Sequence, residues 1–276
     1  MSASHKPSNA PGIALVLFYG LIVLLPFAWI ISIAFKTQIA ILMGQVAFTP
    51  VWTNFEELLF GKSSQFLPSL KNSIIVSVTS TALVLGIAAM SVFTLFRLRV
   101  GGWVRFALFT WAMVFHILPP ITFIGIWFVQ LLSVGLFDTH VGLILAETVL
   151  HLPLALWLMY SFIHEVPEEL LESGRLDGCR DADLFVQIVL PLLRPAMIAA
   201  GVLVFIFIWN DFIVAANLTS STTQTIPVAI SSYAQEYDIR FGEMAAGSVL
   251  SIIPALVFVL IGQKYIIRGL LSGSLK

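Results

Sequence analysis

Long apolar blocks separated by short polar links run the length of this chain. A helix rises 1.5 Å per residue, so about 20 consecutive apolar residues carry it across the hydrocarbon of a bilayer, where lipid offers no partner to a bare backbone amide. Six blocks reach that length, at about 12–35, 73–95, 105–132, 141–163, 196–217 and 245–263. The pattern predicts an all-α integral membrane protein with six transmembrane helices in one domain over residues 1–276. Six crossings place both termini on the same side. The block at 12–35 exceeds the ~7–15 residues of a signal-peptide core and no small-residue cleavage site follows, so it is expected to remain as an anchor.

Composition agrees with a bilayer as the solvent. Hydrophobic residues make up 59% of the chain and charged residues 11%, where a soluble protein carries roughly a quarter charged. The net charge of -1 conceals no basic or acidic tract, which argues against a nucleic acid or polyanion as partner. One cysteine, Cys179, excludes an intramolecular disulfide framework.

Charge changes the picture only through its distribution. With both termini inside, the inner links hold Lys6, Arg97, Arg99, Arg105, Arg175, Arg180, Arg194, Lys264, Arg268 and Lys276, against Lys36, Lys62, Lys71 and Arg240 outside. Lys and Arg are retained on the cytoplasmic side, so the expected topology has both termini in the cytoplasm.

The most polar stretch, about 164–195, lies between the fourth and fifth blocks and is long for a link between neighbouring helices. It reads as two short helices. Pro167 suits a first helical turn, and Glu168 and Glu169 follow where the helix dipole favours acids. Leu170, Leu171, Gly174 and Leu176 supply a partly apolar face, and Asp177-Gly178 signals a turn. A second helix is expected from Asp181 through Phe185 and Ile188 to Leu190, ended by Pro191 and Pro195. The pair would form a rigid elbow projecting into the cytoplasm.

The run Glu172-Ser173-Gly174, three residues, Gly178, nine residues, then Ile188-Val189-Leu190-Pro191 resembles the coupling-loop signature of binding-protein-dependent ABC importer permeases, written EAA, three residues, G, nine residues, I-x-L-P. Every spacing is met, and Asp177 precedes Gly178 as in the pattern. Ser173 and Gly174 replace its two alanines, which keeps small size but lowers helix propensity. Asn72-Ser73, Gly135-Leu136-Phe137-Asp138-Thr139, Trp209-Asn210-Asp211 and Gly269-Leu270-Leu271-Ser272-Gly273 extend the resemblance along the chain, to the smaller permease of the maltose-type carbohydrate importers. The resemblance implies a type I importer fold in a bacterial inner membrane. It also implies a second homologous permease, two ATPase subunits and an extracytoplasmic solute-binding protein. ATP and magnesium would then reside on the ATPase subunits and no cofactor on this chain, with Glu172, Ser173, Gly174, Asp177, Gly178, Ile188, Leu190 and Pro191 as the ATPase-coupling loop.

Other motifs fail on inspection. His164-Glu165 lacks the second histidine of a zinc-protease helix because Glu168 occupies its place. Gly61-Lys62-Ser63 resembles the end of a phosphate loop, but the first glycine of that motif falls on Glu56. No metal site or catalytic residue is expected.

Polar groups at bilayer depth are costly and face either a partner helix or an interior path. His116 on the third block and His151 on the fourth fall near mid-membrane. Glu147 precedes His151 by one turn, and Asn210 and Asp211 sit toward the outer half of the fifth block. Both roles, interhelical hydrogen bonding and pathway lining, are open to them. Pro119-Pro120 beside His116 interrupts the backbone ladder, tolerated where protein or a water-filled cavity satisfies the freed groups.

Two other functions compete with an importer permease. An ion-coupled secondary transporter would use Glu147, His151 and Asp211 as ion sites, but six blocks show no internal repeat and the coupling loop would go unexplained. An intramembrane enzyme finds no nucleophile or metal triad at usable spacing.

Overall fold

The computed structural model describes residues 10–97, 100–163, 166–234 and 239–274, with side chains from Gly12 to Gln263. Lys6, Arg99, His164, Glu165 and Lys276, named above, lie outside the described residues. All regular elements described are helical: α1 (Ala10–Ala34), α2 (Gln38–Leu42), α3 (Thr53–Phe60), α4 (Phe66–Arg97), α5 (Gly102–Ile117), α6 (Ile121–Ser133), α7 (His140–Ile163), α8 (Glu168–Leu176), α9 (Asp181–Leu184), a π turn (Phe185–Val189), α10 (Leu190–Trp209), α11 (Ile213–Leu218), α12 (Ile226–Ser231) and α13 (Phe241–Ser274).

Among the described residues, five helical stretches are long and apolar enough to span a membrane, within α1, α4, α7, α9–α10 and α13. The third block differs from a straight rod. It breaks at Pro119-Pro120 into α5 and α6, which meet at a bend of 92°. Proline withholds a ladder donor and its ring clashes with the preceding turn, and two in succession end α5.

The fifth block is also corrected. Its helix stops at Trp209, where the Asn210 amide caps the last turn, and residues 213–218 form the separate α11. At the other end Pro191 and Pro195 do not terminate a helix. Asp181–Trp209 is one continuous helical stretch because the π turn widens the coil just before Pro191, with the Leu190 N–H donating to the Phe185 carbonyl. The widened turn accommodates the ring that a regular α-helix would exclude.

The chain divides into two compact units. In the first, Met1–Phe66 with Ile230–Ile252, the turn after α1 is held by side chains. Asn54 donates its amide to the Ala34 and Lys36 carbonyls, each at 2.8 Å. The buried Lys36 ammonium lies 4.6 Å from the Trp29 ring centroid and 4.8 Å from that of Phe48, a cation–π contact in place of a carboxylate.

The second unit, Leu67–Ala229 with Ile253–Lys276, holds the main core. There α7 packs along α10 and α5, and α11 along α6 and α7. Val84, Ala88, Met159, Ile163, Leu193 and Val204 are fully buried. A Cβ on Gly201 would stand 3.0 Å from a Leu85 methyl, so the small residue lets α10 approach α4 closely.

A polar clasp closes the opposite end of this unit from α8 and α9. The Asp138 carboxylate, on the α6–α7 turn, accepts hydrogen bonds from the Ser220 N–H (2.8 Å), the Thr223 N–H (3.1 Å) and the Thr223 hydroxyl (2.8 Å). Asn72 donates to the carbonyls of Thr222 and Gln224, both at 3.1 Å, and its own oxygen contacts His140 Nε2 at 2.9 Å. The Ser73 hydroxyl accepts from the Ile226 N–H. Asp138 has φ of 54°, a left-handed conformation that aspartate tolerates better than most residues.

Burial pushes the Asp138 carboxyl up, but the hydrogen bonds from Ser220, Thr223 and Thr222 outweigh it and hold the group below its ordinary value. The folded pKa is depressed, so its contribution is complete above the unfolded carboxylate value near ~3.9 and is lost as pH falls through the lower folded value. Asp138→Ala should loosen the clasp by about 2 to 3 kcal/mol, the scale of hydrogen bonds to a charged acceptor. Hydrogen exchange at the Ser220 and Thr223 amides measures this: faster exchange is expected, with Asp138→Asn intermediate, and unchanged protection would show that the loop is held by other contacts.

Candidate functional site: a helical elbow and an intramembrane polar cluster

The elbow is built as the sequence pattern predicts up to its turn. Pro167 stands at the N-cap position, one residue before α8, without a side-chain bond to it, and Glu168 and Glu169 occupy the first turn. At the other end Cys179 N–H donates to the Gly174 carbonyl (2.9 Å) and Gly178 N–H to the Arg175 carbonyl (3.0 Å), with Gly178 at φ of 84°. This bond pair is a Schellman cap and requires a left-handed residue after the helix. The Arg180 N–H then donates to the Asp183 carboxylate at 3.1 Å and starts α9.

Packing in the elbow rests on the residue that looked like a weakness. A Cβ on Gly174 would lie 2.6 Å from a Leu184 methyl and 3.1 Å from an Ile188 methyl, so α8 meets α9 and the π turn closely and a larger residue there would require those two side chains to shift. The apolar face is narrower than expected: Leu171 and Gly174 are buried, whereas Leu176 is 89% exposed. Glu172, Ser173, Asp177 and Gly178 face outward, as does Pro191; Ile188 and Leu190 are half-buried. An ion pair absent from the sequence reading, Arg97 to Asp181 at 2.7 Å, joins the end of α4 to the start of α9. Both partners are partly exposed, so its net worth is small.

Within the membrane-spanning part, Glu147 and His151 share one face of α7. Glu147 is 1% exposed, and His151 Nε2 lies 3.3 Å from its Oε2, an electrostatic contact without good hydrogen-bond geometry. The His151 ring stacks parallel to Phe207 of α10, with centroids 5.9 Å apart. Asp211 interacts electrostatically with both Glu147 and His151. One Asp211 oxygen accepts from the Val214 and Ala215 N–H groups, which fixes the carboxylate at the start of α11.

The fold therefore gathers Glu147, His151 and Asp211, and adds Phe207, which the sequence reading missed because an aromatic residue in an apolar block carries no signal. Asn210 is exposed beside them and donates to the Ile206 carbonyl. His116 stands in the last turn of α5 beside the 92° bend, with a buried Nδ1 and no contact to the cluster among the described residues. No group of three metal-ligating side chains stands together among the described residues.

Residues 82–272 match the family described as the binding-protein-dependent transport system inner membrane component. The chain belongs to this family. It is a multi-pass inner-membrane permease of a binding-protein-dependent transport system, which leaves the ion-coupled carrier and the intramembrane enzyme without support. Among its relatives is the trehalose transport system permease protein SugB of Mycobacterium tuberculosis, 33% identical over 92% of each chain. Another is the trehalose/maltose transport system permease protein MalG of Thermococcus litoralis, 30% identical over 93% of this chain and 92% of the other. The fold is similar to that in the crystal structure of a bacterial ABC transporter that imports the acidic polysaccharide alginate, with a TM-score of 0.78, 21% identity, and 96% and 98% of the two chains covered.

In the permease the elbow turn and its neighbour Cys179 offer a direct probe, because Cys179 is the sole cysteine and half-buried. A β-branched residue at 178 costs on the order of 1 to 2 kcal/mol in the left-handed region. Gly178→Val should therefore open the Schellman bonds and raise the rate of maleimide labelling at Cys179 several-fold, with the protein still in the membrane. An unchanged labelling rate would show that the turn tolerates the substitution.

Proposed function

We propose that this permease passes a sugar, polyol or sugar derivative, delivered by an extracytoplasmic binding protein, through a path shared with a second homologous permease. Two ATPase subunits, carrying the ATP and magnesium, would drive it from the cytoplasmic side. The relatives named for trehalose and for trehalose and maltose support the solute class.

One observation carries the mechanism. The second arm of the elbow runs without interruption into α10, so that Asp181–Trp209 forms a single helical stretch of 29 residues, about 43 Å long. A push on Glu172, Ser173 or Asp177 by an ATPase subunit would move the far end, where Phe207, Asn210 and Asp211 lie. A subunit can shift an equilibrium only through contacts that differ between its two states, and the elbow, braced by Gly174 against Leu184 and Ile188, is stiff enough to convey that difference. Gly178 sets its angle, and Leu190 and Pro191 mark its entry to the membrane. In this reading Glu147, His151 and Asp211 brace or line the path with Asn210, and His116 marks the bend in α5–α6.

The topology that places the elbow in the cytoplasm is tested in a Cys179→Ser background. Ser221→Cys should react with an impermeant thiol reagent applied outside, and Ala182→Cys should not; the reverse pattern would overturn the coupling reading.

Transport itself is tested in proteoliposomes containing the partner permease, the ATPase subunits and the binding protein. Uptake should require ATP and the binding protein, and Glu147→Gln should lower uptake with normal assembly. Uptake on an ion gradient without ATP would reject the proposal. Wild-type uptake by Glu147→Gln would return that residue to a packing role.

A further inference from the structure

A cleft of about 330 Å³ opens between the ends of α5 and α7 nearest the elbow. Its walls are Gly102, Arg105, Phe106 and Phe109 on one face of α5, and Trp157 and Tyr160, three residues apart, on one face of α7. The rings of Phe109 and Tyr160 meet at its floor, with centroids 4.2 Å apart. We propose that this cleft binds the phosphate headgroup of an anionic phospholipid through Arg105.

Depth comes first. Arg105 lies in the first turn of α5, and Tyr160 one turn before α7 ends at Ile163 and the chain leaves for the elbow. The cleft therefore sits where a spanning helix passes from hydrocarbon to headgroups, provided the two helices are read as membrane-spanning. Aromatic rings collect at that level, and Phe106 at 62% and Trp157 at 50% exposure form such a collar.

Charge selects the occupant. Arg105 is half-buried and makes no ion pair among the described residues, and no carboxylate lines the cleft. A guanidinium held at the membrane boundary calls for an anion, and lipid phosphate is the anion found at that depth. Its planar fork can grip two phosphate oxygens at once, and the Trp157 indole N–H is a second donor on the cleft wall. Room for the acyl chains is provided by α5, none of whose side chains is buried; Leu108 and Trp111 continue the apolar surface away from Arg105. A solute or a peptide would find one cation and four aromatic rings but no acceptor side chain other than the Tyr160 hydroxyl.

The experiment uses the permease within its assembled transporter, purified from membranes and exchanged into a defined mixture of phosphatidylglycerol and phosphatidylcholine. Retained lipid is counted by native mass spectrometry, and the site is located by a photo-crosslinkable phosphatidylglycerol. The wild type should retain phosphatidylglycerol in preference and crosslink at 102–109 or 157–160. Arg105→Gln should weaken that preference about tenfold, the loss of one charge-assisted hydrogen bond. Arg105→Lys, which keeps the charge but loses the fork, should fall between and remains informative if the glutamine variant assembles poorly. Equal retention of phosphatidylglycerol by wild type and Arg105→Gln would overturn the proposal. Crosslinking of the cleft to a protein subunit in place of lipid would do the same.

Discussion

Every backbone amide of a membrane-spanning segment must find its hydrogen bond inside the protein, and this single requirement shapes the molecule. At two of three interruptions of the helical ladder the chain supplies a substitute. Ahead of Pro191 the substitute is a π turn that keeps Asp181–Trp209 continuous. At Pro119-Pro120 there is none, and the helix gives way to a bend of 92°. Below Asn210 the carboxylate of Asp211 takes over, accepting two amides to start α11. Asp211 thus sits at a break and satisfies freed backbone there, while interacting electrostatically with Glu147 and His151 on the uninterrupted α7.

The second unit carries two rigid polar structures at its opposite ends. One is the elbow, with its angle set by Gly178 and its stiffness by the contact of Gly174 with Leu184 and Ile188. The other is the clasp, in which Asp138 and Asn72 bind the backbone of residues 220–224. Between them run α7 and α10, packed closely and joined at mid-depth by the stacked rings of His151 and Phe207. Stiff ends joined by long helices favour discrete arrangements over gradual bending, the property an alternating-access pathway requires.

Much of this was legible in the sequence. Apolar blocks located the spans because lipid imposes a length, and the Asp177-Gly178 turn was legible because only glycine sits easily at a φ of 84°. The Glu147–His151 face followed from helical spacing. What escaped was whatever depends on neighbours remote in sequence. Gly174 read as a loss of helix propensity until Leu184 and Ile188 were seen against it. Phe207 was one apolar residue among many. The continuity through Pro191 was hidden because proline usually ends a helix, and only the local widening of the coil reverses that rule. The helices α2, α3 and α12, of 5, 8 and 6 residues, are themselves too short to show a period.

The π turn has a consequence for how this chain can change over evolutionary time. Such a turn is equivalent to one residue inserted into a regular helix. Deleting one position within 185–189 would restore a regular coil with its flanking segments nearly aligned but remove the wide turn that admits Pro191, whereas a deletion between 179 and 184 would swing everything before it around α10 by about 100°. The nine residues between Gly178 and Ile188 are therefore counted along a chain that already includes the wide turn. Fixed spacing in that stretch acts as a rotational setting: substitutions can alter the elbow's surface, whereas an insertion or deletion ahead of the wide turn would re-aim it.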